Sequence, residues 1–103
     1  MAKSLKHLRE NDYTVDIAER WVPKINIRRD LFNFIDIVAL HKSVPGVIAV
    51  QVTTKPNMAA RRNKILMLQS ADMWIKCGNT ILLHGWDGEI LHQETIEIFT
   101  HIV

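Results

Sequence analysis

Two apolar runs stand out along this chain, Leu31 to Leu40 and Val47 to Thr54, each carrying a polar group at its middle where burial favours none. Both are rich in Ile, Val and Phe and read as strands. The stretch His41-Lys-Ser-Val-Pro-Gly46 lies between them, and its Pro45-Gly46 predicts a turn. Asp36 sits within the first run and Gln51 within the second. A carboxylate in mid-strand is costly unless it is paired, hydrogen-bonded or bound to a metal. Polar groups on neighbouring strands can converge on one point, which makes Asp36 and Gln51 the first candidates for function.

The remaining pattern frames these strands. Leu5 and Leu8, three apart, predict a short helix over residues 3–10, which Asn11-Asp12 breaks. Val15, Ile17, Glu19 and Trp21 alternate along residues 14–21, a strand on which Glu19 faces the way of its apolar neighbours and which Pro23 ends. A further segment, Ile25 to Asp30, leads into the Asp36 strand, within which Asp36 falls. Asn57 is placed to cap a helix from Met58 to about Leu68, and Ser70 a second helix over 71–77, with Gly78 after its end. Residues 80–86 and 89–99 flank Asp87-Gly88, a dipeptide that favours a type I′ hairpin turn. The order α-β-β-β-α-(α)-β-β predicts an α/β or α+β domain around a mixed sheet.

Composition narrows the class. The chain has 103 residues, 48% hydrophobic and 23% charged, as expected of one soluble globular domain over 1–103. No run approaches a membrane span, and the N-terminus lacks the apolar core of a signal peptide. A lone Cys77 forms no internal disulfide, which suits a reducing cytoplasm; it reads as a buried helix residue. Histidines 7, 41, 84, 92 and 101 show no zinc spacing, His84 reads as a strand-end residue, and Trp21, Trp74 and Trp86 read as packing. The formal charge of +2 argues for no partner by itself, but its distribution is uneven. No acid lies between Ile37 and Ala71, a stretch that holds Lys42, Lys55, Arg61, Arg62 and Lys64. From Asp72 onward five acids face one base, Lys76. A basic centre beside a strand carboxylate is consistent with phosphate binding.

Asn33-Phe-Ile-Asp36 followed by Ile48-Ala-Val-Gln51-Val-Thr53 and a helix resembles the core motif of the PD-(D/E)XK nuclease superfamily, which includes Holliday-junction resolvases, many restriction enzymes and small phage nucleases. The resemblance covers residues 14 to about 85. It implies a restriction-endonuclease-like three-layer core with a mixed sheet flanked by helices, ending here in a C-terminal β-hairpin. It implies Mg²⁺ or Mn²⁺ as cofactor, with Asp36, the amide oxygen of Gln51 and the carbonyl of Val52 as ligands and Glu19 as a second carboxylate. Two positions depart from the motif. Gln51 stands where an acid is usual, and Thr53 stands where the lysine belongs; a hydroxyl can hydrogen-bond a water but supplies no cation. Lys55, which keeps strand parity with Gln51, and Lys64 on the following helix are the candidate replacements.

Arg28, Arg29, Asn57, Arg61 and Arg62 are the candidate contacts to nucleic acid, with a solvated helix face as the plain alternative for Arg61, Arg62 and Lys64. Asp30 falls outside the expected site: six strand residues would hold it roughly 20 Å from Asp36, so it reads as a residue starting the strand, paired with Arg28 or Arg29. The expected function is a metal-dependent endonuclease acting on DNA, with a possible homodimeric assembly. The alternatives are a catalytically inactive nucleic-acid-binding module of the same fold and a protein-interaction domain using the acidic C-terminal hairpin.

Overall fold

Continuous burial along the central strands, covered on both faces, sorts the chain into three layers. In a computed structural model, which describes residues 1–98, the elements are α1 (Ala2–Glu10), β1 (Thr14–Ile17), β2 (Arg20–Val22), β3 (Ile27–Arg29), β4 (Ile37–His41), β5 (Val44–Thr54), α2 (Met58–Leu66), α3 (Gln69–Lys76), β6 (Thr80–Asp87) and β7 (Ile90–Thr95). The main sheet has the order β1-β4-β5-β6-β7, in which only β5 and β6 are parallel. Parallel neighbours need a crossover, and α2 and α3 supply it. Strands β2 and β3 form a separate hairpin.

One sheet face presents Ile37, Ala39, Ile48, Val50 and Leu82 to Leu8 of α1. The other presents Ala49, Ile81 and Leu83 to Ile65 of α2 and Ala71 of α3. The fold is therefore α+β, a mixed sheet flanked by helices and closed by a C-terminal hairpin. Gly85 belongs to the second face, where a Cβ would collide with the Met58 side chain at the start of α2. No helix among the described residues is long and apolar enough to cross a membrane.

Several boundaries differ from the sequence pattern for local reasons. The strand expected over 14–21 breaks at Ala18 and Glu19 into β1 and β2. The run from Leu31 does not extend into β4. Residues 30–35 instead fold into a turn with positive φ at Phe32 (52°) and Asn33 (68°), closed by a bridge between Leu31 and Ile35. The β4–β5 turn falls at Lys42-Ser43, and Pro45-Gly46 lie within β5. At the last hairpin Asp87 pairs with Ile90, so the turn residues are Gly88-Glu89; φ is positive only at Gly88 (56°), as in a type II′ turn. Asn57 precedes α2 without a side-chain capping bond, and α3 starts at Gln69, while the Ser70 hydroxyl donates to the Phe32 carbonyl instead (2.9 Å). Cys77 and Trp21 are exposed rather than packed. The predicted final strand reached Phe99; that residue and His101 lie outside the described residues.

Candidate metal centre

The site forms where three chain breaks meet. Glu19 follows the end of β1, Asp30 follows β3, and Asp36 precedes β4. The Ala18 amide donates to the Asp36 carbonyl (2.8 Å) and the Asp36 amide to the Val50 carbonyl (3.0 Å), which fixes Asp36 between β1 and β5. One carboxylate oxygen from each of Glu19, Asp30 and Asp36 lies within 4.8 Å of the others. Three such groups could hold a metal ion. The exclusion of Asp30 on distance is overturned, because the 30–35 turn doubles the chain back where an extended strand would have carried it away.

Asp36 and Gln51 share a parity with Val38 and Ala49, whose side chains pack on the α2 and α3 face. Both residues are buried, Asp36 at 6% and Gln51 at 1% exposure. Gln51 Nε2 and the Val52 backbone amide each donate to Asp36 Oδ2 at 2.8 Å. Gln51 Oε1, in contrast, has no hydrogen-bond partner among the described residues. A buried acceptor left unmet costs about 1–3 kcal/mol. The acid is itself under electrostatic load. Burial, then a side-chain hydrogen bond to Asp30, then the charges of Asp30 and Glu19 push the Asp36 carboxyl up to about 7, against the opposing pull of the Val52 amide.

This donor set fits a hard divalent cation. It is made of oxygens, only Glu19 of its three carboxylates is ion-paired among the described residues (to Arg28), and a buried amide oxygen is left over. Glu19, Asp30, Asp36, Gln51, Val52 and Arg61 together line a cavity of about 310 Å³. An adjoining cavity of about 230 Å³ is lined by Arg28, Arg29, Asp30, Asn33 and Lys64.

The other sequence candidates fall in different places. Thr53 is half-buried on β5 and Lys55 is exposed in the short 3-10 turn (Lys55–Asn57); neither lines these two cavities. Lys64 reaches the Asp30 side. Arg28 pairs with Glu19 (2.9 Å), not with Asp30. Arg62 lines neither cavity and instead grips Glu94 of β7 through two hydrogen bonds (2.5 and 2.6 Å), holding that carboxyl below its usual range. Asn57 lines neither cavity. Asp30 was the residue missed, and a signal for it exists: Asp30-Leu-Phe-Asn33 has turn-type residues at both ends, and the Asn33 amide donates to the Asp30 carbonyl (3.1 Å).

Comparison with protein-family models, curated proteins and solved structures returns no match to this chain. The functional reading accordingly stands on the site.

Proposed function

We propose that this protein is a Mg²⁺- or Mn²⁺-dependent endonuclease that hydrolyses DNA phosphodiester bonds. The observation that carries the reading is the convergence of Glu19, Asp30 and Asp36 beside the unpartnered oxygen of Gln51, with arginines and a lysine at the rim. Metal-assisted hydrolysis needs oxygen ligands inside and positive charge outside, since the substrate is an anion. A mixed sheet with one parallel pair and a helical crossover after the Gln51 strand also agrees with the PD-(D/E)XK resemblance.

Glu19, Asp30 and Asp36 would hold the cation through carboxylate oxygens, joined by Gln51 Oε1 and the Val52 carbonyl. When bound, the cation lowers the pKa of a water and stabilises charge on the phosphate. Asp36 must give up its proton to serve as a ligand, so metal affinity should rise with pH through about 7. Arg61, on the wall of the carboxylate cavity, is the cation best placed to meet the scissile phosphate, and Lys64 meets its neighbour on the Asp30 side. Lys55 has no such position.

The test is cleavage of linear, nicked and branched DNAs with Mg²⁺ or Mn²⁺, run beside Asp36→Ala. The expected result is metal-dependent cutting that falls at least about a hundredfold in the variant. Thr53 at the motif lysine favours a second reading, a nucleic-acid-binding module without catalysis. Salt-sensitive binding with no cutting would select it, and neither cutting nor binding would remove both.

A further inference from the structure

The β2–β3 hairpin contributes little to holding the fold together. Five of its six strand positions are exposed, and it pairs with no strand of the main sheet. A two-stranded hairpin on its own is marginal in water. This one also carries an unfavourable pairing, since Arg20 stands directly across from Arg29. Residues 20–29 contain four cations, Arg20, Lys24, Arg28 and Arg29, and no acid. Only Arg28 has an ion-pair partner among the described residues, Glu19 at the hairpin's base. Stability alone gives no reason to gather these charges.

The hairpin stands next to the carboxylates. Arg20 and Arg29 line a cavity of about 380 Å³ together with Asp30, and Arg28 and Arg29 line the Lys64 cavity. On the hairpin's other face Trp21 lies across from Arg28 and is 53% exposed, an unusual fate for an indole. Beside it opens a recess of about 470 Å³ with Leu5 and Ile17 on its apolar wall and Glu19, Arg20 and Arg28 at its polar side.

We propose that the β2–β3 hairpin is an arm that holds single-stranded DNA, with Arg20 and Arg29 on phosphates and Trp21 stacked on an unpaired base. Charge complementarity selects the polyanion. The exposed indole, with apolar side chains and two arginines around its recess, selects an unpaired strand, because a duplex hides its base faces while a single strand offers them. The inference rests on the nuclease reading for its choice of DNA, and it makes unpaired nucleotides the substrate feature that the site receives.

The experiment measures binding of a fluorescein-labelled twelve-nucleotide oligothymidylate, and of a duplex of equal length, without divalent metal at several salt concentrations. The proteins are wild type, Arg20→Ser/Arg29→Ser, Trp21→Ala and Trp21→Phe, each first shown by thermal melting to keep its fold. Losing two phosphate contacts should lower the salt slope for the single strand by about 1.4. Trp21→Ala should weaken single-strand binding roughly tenfold, with Trp21→Phe restoring most of it. Single-strand binding unchanged in these variants, or tighter binding to duplex, overturns the proposal. So does Trp21-dependent co-sedimentation with anionic phospholipid vesicles in place of DNA binding. Cleavage by the wild type, scored separately, keeps the two readings apart. Cutting with hairpin-independent binding removes the arm and leaves the nuclease, whereas hairpin-dependent binding without cutting does the reverse.

Discussion

The two faces of the sheet each bury a polar cluster, and they resolve the cost in opposite ways. On the α1 face His84 is fully buried, yet both ring nitrogens are met, Nδ1 by the Ser4 hydroxyl and Nε2 by Gln93 Oε1, each at 2.9 Å. Trp86 Nε1 donates in turn to Ser4 Oγ (2.8 Å). A neutral imidazole protonated at Nε2 satisfies every member: Trp86 donates to Ser4, Ser4 to His84, and His84 to Gln93. On the α2 face Asp36 lies among two further carboxylates, and Gln51 keeps an unmet oxygen. The first cluster is closed upon itself. The second leaves an acceptor unmet, and an unmet acceptor is what separates a candidate site from a polar core.

Breaking the closed network should have the largest effect on stability. His84→Ala leaves a void and takes away the acceptor of the buried Ser4 hydroxyl, for an expected loss of about 3 kcal/mol in urea melts. Asp36→Asn in metal-free protein should do the contrary at pH 8, raising stability by relieving repulsion while abolishing Mg²⁺ binding in calorimetry. A loss of stability there would mean that the acidic cluster is a structural element.

The pH dependence sharpens the same contrast. Burial lowers His84 from 6.5 to about 4, so it contributes stability that is lost as pH falls from about 6.5 to 4. Asp36, raised from 3.8 to about 7, works in the other direction: the folded form keeps its proton longer, and stability falls as pH rises through the same range. The two slopes oppose each other in the wild type. Asp36→Asn should expose the His84 slope, up to about 1.4 kcal/mol per pH unit between pH 4 and 6.5. Saturating Mg²⁺ should also remove the Asp36 limb near neutrality. A flat profile in Asp36→Asn would show that His84 titrates normally.

Smaller changes follow. Gln51→Met removes the orphan oxygen at similar volume together with the Nε2 donor to Asp36, so the stability of the metal-free protein should change by less than about 1 kcal/mol while metal binding weakens. Arg62→Ala, which unclasps α2 from β7 at partly exposed side chains, should lower the melting temperature only slightly and leave metal affinity unchanged.

Much of this was legible in the chain. Apolar runs and the turns beside them located β4, β5 and β6, and a carboxylate and an amide set in those runs marked the two buried residues of the site. Glu19 could be suspected from its place among alternating apolar neighbours. His84 could not be read as the centre of a network, because Ser4 lies 80 residues away in sequence. Arg62 gave no sign of its partner Glu94 for the same reason.

Asp30 shows most clearly where sequence stops. Hydrophobic periodicity is a local property: it reports which side chains share a face of one element, and it determined the strands, the two helical layers and the polar residues embedded in them. The distance between Asp30 and Asp36 depends instead on backbone torsions at Phe32 and Asn33, which reverse the chain through positive φ within an apolar run that reads as extended. The β2–β3 detour and the break at Ala18 and Glu19 then bring the third carboxylate alongside. Proximity of like charges is never favoured locally, so only the packed fold, holding three chain ends against β5, could put them together.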